Sequence, residues 1–182
     1  VVVDGVHGIE VQTEKTWQYA NEFMLPRFMV INKIDKEHAD FAHALETAAD
    51  SFARSIVPFT LPIGREGSFR GVIDVVHQKA YEFDADGKAK PIGIPSEETA
   101  LLNSTRERLI EIVAESDDAL MEKYFENGTL PEEDIVPNLA RAIASSKLCP
   151  VYAISATNLV GIQILLNHLV ELASQPPEVR RA

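Results

Sequence analysis

Three short apolar runs, each closing in polar residues and each followed by a helical pattern, restrict this chain to a few architectures. Val1-Val2-Val3 ends in Asp4-Gly5, Arg27 to Ile31 runs into Asn32-Lys33-Ile34-Asp35, and Pro150 to Ile154 runs into Ser155-Ala156-Thr157-Asn158. Runs rich in β-branched and aromatic side chains, without polar alternation, suit strands covered on both faces, as in a parallel sheet. The covering helices are legible too. Thr13, Trp17, Ala20 and Met24 recur at three- and four-residue steps between Glu10 and Met24, with Glu14, Gln18 and Glu22 opposite and Pro26 as the stop. A second helix is expected from about Ala39 to Arg54 on Phe41, Leu45, Ala48, Ala49 and Phe52. A last one is expected from Ile162 to Ala173 on Ile162, Leu165, Leu166 and Leu169, with Pro176-Pro177 as an exit linker. The polar strand ends fall where open α/β sheets bind ligands.

The spacing is anomalous. Between Asp35 and Ser155 stand 119 residues, Lys36 to Ile154, where one helix and one strand would suffice. The excess reads as a self-contained α+β unit. Ile56 to Ile63 and Phe69 to Phe83 are expected as antiparallel strands joined through Gly64-Arg65-Glu66-Gly67-Ser68, with Pro58 and Pro62 pushing the first towards an edge. Asp84-Ala85-Asp86-Gly87 is a second turn and Pro91 to Pro95 a spacer. Helices follow from near Glu97, capped by Ser96 with Leu101, Leu102, Leu109, Ile112 and Val113 as its apolar stripe, from Asp117 to about Glu126, and from Pro131 to Ser146. The expected fold class is therefore α/β: three parallel strands with helices, residues 1–55 and 150–182, interrupted by an α+β insertion over 56–149.

Composition narrows the function. With 182 residues, 46% hydrophobic and 25% charged, the chain has the balance of one or two globular domains. No run approaches the roughly 20 apolar residues of a membrane span, and no basic segment opens the chain, so no membrane partner and a cytoplasmic location are expected. One cysteine, Cys149, fits a reducing compartment and is expected as a buried, inert thiol. A net charge of −11 argues against general binding to nucleic-acid backbone and favours basic partners.

Asn-Lys-x-Asp after a buried strand suits guanine. Guanine offers N1–H and an exocyclic amine side by side, a paired donor that the Asp35 carboxylate accepts in bidentate fashion, whereas adenine presents the opposite pattern. The Lys33 stem fits along the base plane and Asn32 satisfies neighbouring groups. The Ala156 backbone N–H is the candidate donor to guanine O6, and Ser155 the candidate brace for Asp35. Taken singly, Asn32 to Asp35 reads as a solvated loop and Ser155-Ala156 as a helix cap; their common position at strand ends of one α/β unit favours base recognition.

Several stretches together resemble bacterial translation elongation factor G. They are Val3 to Trp17, Asn32 to Asp35, Leu61-Pro62-Ile63-Gly64, Phe69 to Asp74, Ala80-Tyr81, Ser116 to Tyr124 and Ser155-Ala156. The resemblance covers about residues 1 to 177. It implies the later part of a P-loop-type GTPase domain, truncated, with the subdomain inserted between its two guanine-binding loops. It also implies GTP/GDP as ligands, Mg²⁺ held by residues of the full-length protein that are not in this stretch, and the ribosome as partner. No Gly-x-x-x-x-Gly-Lys-Ser/Thr occurs, so no phosphate-cradling loop is expected here. Asp4-Gly5-Val6-His7-Gly8 has its glycine one position late for a magnesium loop, and His7 takes no catalytic role. The chain alone is expected to be inactive as a GTPase. Alternatives are another ribosomal GTPase of release-factor or ribosome-protection type, or an acidic protein-binding module.

The acidity is concentrated. Between Ser96 and Asp134 twelve acidic residues face three basic ones (Arg106, Arg108, Lys123), a balance of −9. A solvated helix face explains such a run, and so does a docking surface for a basic partner. The resemblance implies the ribosomal stalk protein as that partner. Val1 to Asp4, mid-sheet in GTPase domains of this type, is expected to expose an apolar edge and pair with a second copy. The five histidines show no metal spacing along the chain, Asp84 and Asp86 are turn residues, and Trp17 and Phe52 belong to the core.

Overall fold

The computed structural model describes residues 1–52 and 56–173, arranged as two four-stranded sheets. Arg54 and the Pro176-Pro177 linker, both invoked above, lie outside the described residues. The elements run β1 (Val2–Asp4), α1 (Val11–Glu22), β2 (Met29–Asn32), α2 (Phe41–Ser51), β3 (Ile56–Pro58), β4 (Thr60–Ile63), β5 (Gly71–Asp74), β6 (Lys79–Phe83), β7 (Ala89–Ile92), α3 (Thr99–Ala114), α4 (Asp118–Asn127), α5 (Glu132–Ala144), β8 (Cys149–Ala153) and α6 (Ile162–Leu172). No helix among the described residues is long and apolar enough to cross a membrane.

The first sheet is wholly parallel in the order β1-β2-β8-β3. The three strands expected at β1, β2 and β8 are present, and a fourth joins them. Ile56 to Ile63 is not one antiparallel strand: Ile56–Pro58 pairs parallel with Cys149–Val151, and only Thr60–Ile63 enters the antiparallel sheet β4-β5-β6-β7. Phe59, fully buried, is the corner; its N–H donates to Val151 O (2.8 Å) and its carbonyl accepts from Val75 N (3.0 Å). β3 and β4 are both edges, so Pro58 and Pro62, which lack a donor, sit where no ladder needs one.

Other differences have local causes. Pro91 and Ile92, the start of the expected Pro91–Pro95 spacer, instead belong to β7, which pairs antiparallel with β6; Pro91 is tolerated there because β7 is an edge. Ser96 does not cap α3: a 3₁₀ turn over Ser96–Glu98 precedes the helix, and the Ser96 hydroxyl donates to Glu97. On α3 Leu102, Leu109 and Val113 are buried, while Leu101 faces out and Arg106 is buried in its place. α1 buries Thr13, Trp17 and Ala20, but it ends at Glu22 and leaves Met24 82% exposed. Trp17 stacks on Phe52 at 4.5 Å between ring centroids, joining α1 to the end of α2. Asp117, expected as the first residue of α4, is instead its cap: its carboxylate accepts from Ala119 N, and the helix stops at the left-handed Gly128. α6 buries Ile164, His168 and Leu172, with Leu166 exposed.

Candidate guanine-binding site

The two candidate loops leave adjacent strands. β2 and β8 are neighbours in parallel register, Ile31 opposite Ala153, so the residues following each strand emerge side by side at the carboxyl end of the sheet. Ile34 N donates to Ile154 O (3.3 Å) and Ile154 N to Ile31 O (3.0 Å), carrying the pairing past the strand ends. The Ala156 N–H donates to Asn32 Oδ1 at 3.0 Å, a contact across 124 positions of sequence. Asp35 lies beside Ser155, which is fully buried.

Backbone geometry fixes both loops. Gly5 brings β1 against the first: its N–H donates to Asn32 O at 2.7 Å, and a Cβ there would lie 2.9 Å from the same oxygen. Lys33 adopts φ +66°, which turns the chain sharply between Asn32 and Asp35. The Ser155 loop closes on itself, with Ser155 N on Val160 O (3.0 Å), Val160 N on Ser155 O (3.1 Å) and Asn158 N on Ser155 Oγ (3.2 Å). Gly161, at φ +81°, then starts α6, and a Cβ at this position would stand 2.6 Å from Ala153 O. The insertion supports the first loop, since His38 N donates to Glu66 Oε1 at 2.8 Å.

The charges at the site are paired unevenly. Lys33 Nζ sits 2.6 Å from Asp4 Oδ2, and Asp4 also accepts from Val6 N and His7 N. Burial would raise the Asp4 pKa, but Lys33 and the two amides outweigh it and hold the carboxyl well below the usual carboxylate range; Asp4 in turn raises Lys33. Asp35 Oδ2 pairs with Lys36 Nζ at 3.0 Å. Burial pushes the Asp35 pKa up, yet the Ser155 hydroxyl and the Lys36 ammonium bring it below its ordinary value, so the group is ionised at neutral pH. Its other oxygen, Oδ1, is buried and has no hydrogen-bond partner among the described residues. An orphaned carboxylate oxygen is costly, on the order of 1–3 kcal/mol or more for a charged group, and it suits a ligand that arrives with donors.

All five sequence candidates, Asn32, Lys33, Asp35, Ser155 and Ala156, therefore gather at one end of the parallel sheet. Two hold partners that the sequence did not reveal. The Ala156 amide is engaged by Asn32, and the Lys33 ammonium by Asp4, a residue the sequence placed only at a strand end. One cluster was missed altogether: Asp74, His77 and His168 bring their side-chain ligand atoms within 4.8 Å of one another, although no spacing along the chain marks them.

A parallel sheet wrapped by helices, with paired loops at its carboxyl end and an antiparallel sheet set between them in sequence, defines a GTPase-domain fold of mixed α/β class. The chain belongs to the elongation factor Tu GTP-binding domain family, which it matches over residues 1–175. It is similar to a crystal structure of a protein from Thermus thermophilus, with TM-score 0.87 and 31% identity over 96% of this chain and 26% of that one. The chain thus spans about a quarter of that protein's length. Family and fold together place this stretch within a GTP-binding domain of the elongation factor Tu type.

Proposed function

We propose that the chain is the base-reading half, with its inserted subdomain, of an elongation factor G-like GTPase whose full-length form couples GTP hydrolysis to ribosomal translocation in the cytoplasm. The observation that carries this reading is the buried, unpartnered Asp35 Oδ1 beside the Asn32–Ala156 contact. In the proposed complex Asp35 accepts from guanine N1–H and the 2-amine. Ala156 N–H turns from Asn32 to guanine O6, Lys33 lays its stem on the base and Asn32 braces the loop, with Ser155 steadying Asp35. The sequence holds no Gly-x-x-x-x-Gly-Lys-Ser/Thr, so we assign the phosphates to other residues of the full-length protein and no hydrolysis to this stretch alone. We assign Mg²⁺ likewise to other residues of the full-length protein, since Asp4 and one oxygen of Asp35 are held by Lys33 and Lys36.

Guanosine titrated into ¹⁵N-labelled chain tests the reading. Shifts are expected at residues 32–36 and 155–158, absent with adenosine and abolished in Asp35→Asn, which is expected to accept xanthosine, whose 2-carbonyl matches an amide donor. Equal shifts from adenosine, or none from guanosine at solubility, refute it.

The acidic face supports the stalk protein as partner. Ten of the twelve acidic residues between Ser96 and Asp134 are exposed, and Phe125, 78% exposed, stands on α4 between Glu122 and Glu126. An aromatic ring within a carboxylate field suits a basic partner with an apolar spot. β1 is an edge with Val2 exposed, which supports the self-pairing expected from the sequence. Sedimentation that stays monomeric at high concentration refutes that pairing.

A further inference from the structure

Asp74 closes β5, His77 lies in the turn before β6, and His168 sits on α6, so the insertion contributes two of these side chains and the GTPase half the third. Asp74 Oδ2 is 2.8 Å from His77 Nδ1 and 3.1 Å from His168 Nε2, and the two ring nitrogens are 3.4 Å apart. A triangle with these edges has a circumradius of about 1.8 Å, so an ion at the usual Zn–N distance of about 2.0–2.1 Å rests about 1 Å above its plane.

The surroundings orient all three groups towards that point. Asp74 Oδ1 accepts from His77 N at 3.0 Å, which leaves Oδ2 to face the imidazoles. Each histidine has a partner on its outward nitrogen: Tyr152 Oη lies 3.2 Å from His168 Nδ1, and Glu171 Oε1 lies 3.4 Å from His77 Nε2. Metal-bound histidines characteristically give the second ring N–H to an oxygen in this way, which fixes tautomer and ring orientation. Phe59 and Tyr152 set their rings edge-on or tilted about the buried His168. His77, 34% exposed at its side chain, opens the cluster to solvent and gives an ion its entry path.

We propose that Asp74, His77 and His168 bind one divalent transition-metal ion, Zn²⁺ foremost, and so tie the insertion to α6. Two imidazoles and a carboxylate are donors for Zn²⁺ and its first-row neighbours. Mg²⁺ and Ca²⁺, which take oxygen, are excluded by the two nitrogens.

The test is titration of tag-free, chelator-treated chain with ZnCl₂ by calorimetry, with Co²⁺ as a visible-absorption probe. Expected are one equivalent bound, a Co²⁺ spectrum of low coordination number and a thermal midpoint that rises with Zn²⁺. His77→Ala, on a partly exposed side chain, weakens binding by more than about tenfold, since loss of a ligand exceeds the loss of an outer partner. A triple substitution of the exposed His7, His38 and His43 to Ala leaves binding unchanged. Imidazole ¹⁵N shifts of the unsubstituted chain identify the atoms independently of any variant: Nδ1 of His77 and Nε2 of His168 move on Zn²⁺ addition. Absence of stoichiometric binding, binding that survives His77→Ala, or shifts confined to other histidines overturns the proposal and leaves a hydrogen-bonded network alone.

Discussion

Arg106 is the most exacting test of how the insertion is held. It is 8% exposed on α3, and its Nη1 donates to both Val75 O (3.0 Å) and Val76 O, the carbonyls of the β5–β6 turn, while Nη2 meets Glu132. Val75 and Val76 are themselves buried, so Arg106→Met removes the donor, keeps much of the apolar stem and leaves two carbonyls without this partner. At about 1–3 kcal/mol for each buried group deprived of its partner, the expected loss is about 3 kcal/mol and no less than about 2. The ion pair adds little, because the Glu132 side chain is 71% exposed and pairs of that kind contribute at most about 1 kcal/mol. Urea unfolding followed by circular dichroism measures both variants, with unchanged m as the sign of an intact denatured state. Arg106→Met is expected to lower the thermal midpoint by about 6–12 °C at about 2–4 °C per kcal/mol. Glu132→Gln is expected to shift it by at most about 4 °C. Arg106→Lys falls between, since one ammonium cannot reproduce the guanidinium fork. A methionine variant as stable as the parent, or a glutamine variant as damaged as the methionine one, refutes the reasoning that the carbonyls carry the energy.

Other outcomes follow from single residues. Gly161→Ala combines φ +81° with a Cβ 2.6 Å from Ala153 O, and denaturant unfolding is expected to show a loss of at least about 1–3 kcal/mol. Asp4 has its pKa depressed on folding, so the stability it contributes is present above its unfolded pKa, about 3.9, and disappears as pH falls through the folded value. Asp4→Asn is therefore less stable than the parent at pH 7, and the two stability curves converge on acidification; a constant offset down to the acid limit counts against it. Burial lifts the Cys149 thiol to about 12, so alkylation at pH 8 should proceed only through unfolding, and a rate independent of urea shows otherwise.

The meeting of the two candidate loops was legible because their positions at strand ends specify it. Asn32, Lys33, Asp35, Ser155 and Ala156 fall at strand ends, and strand ends in a parallel sheet are neighbours whatever separates them in sequence. Ile56–Pro58 was not legible: an apolar run with two prolines reads the same in a parallel edge as in an antiparallel one, and only β8 as partner decides. α6 misled for a related reason. Ile162, Ile164, Leu165, Leu166, Leu169, Val170 and Leu172 surround the helix with apolar side chains, so periodicity loses its direction. The buried face was set instead by a polar residue, His168, which finds Asp74 and Tyr152 only in three dimensions.

Phe59 has a mechanical consequence. Where an added module joins its host through several free residues, it swings; here a single residue is bonded to Val151 on one side and Val75 on the other, so the junction is a welded corner. Thr60 reinforces it, its hydroxyl accepting from Ala153 N at 2.9 Å, two residues before the loop that begins at Ser155. A force applied to the acidic helices reaches the loop after β8 as torsion of that strand, with no slack in which to dissipate.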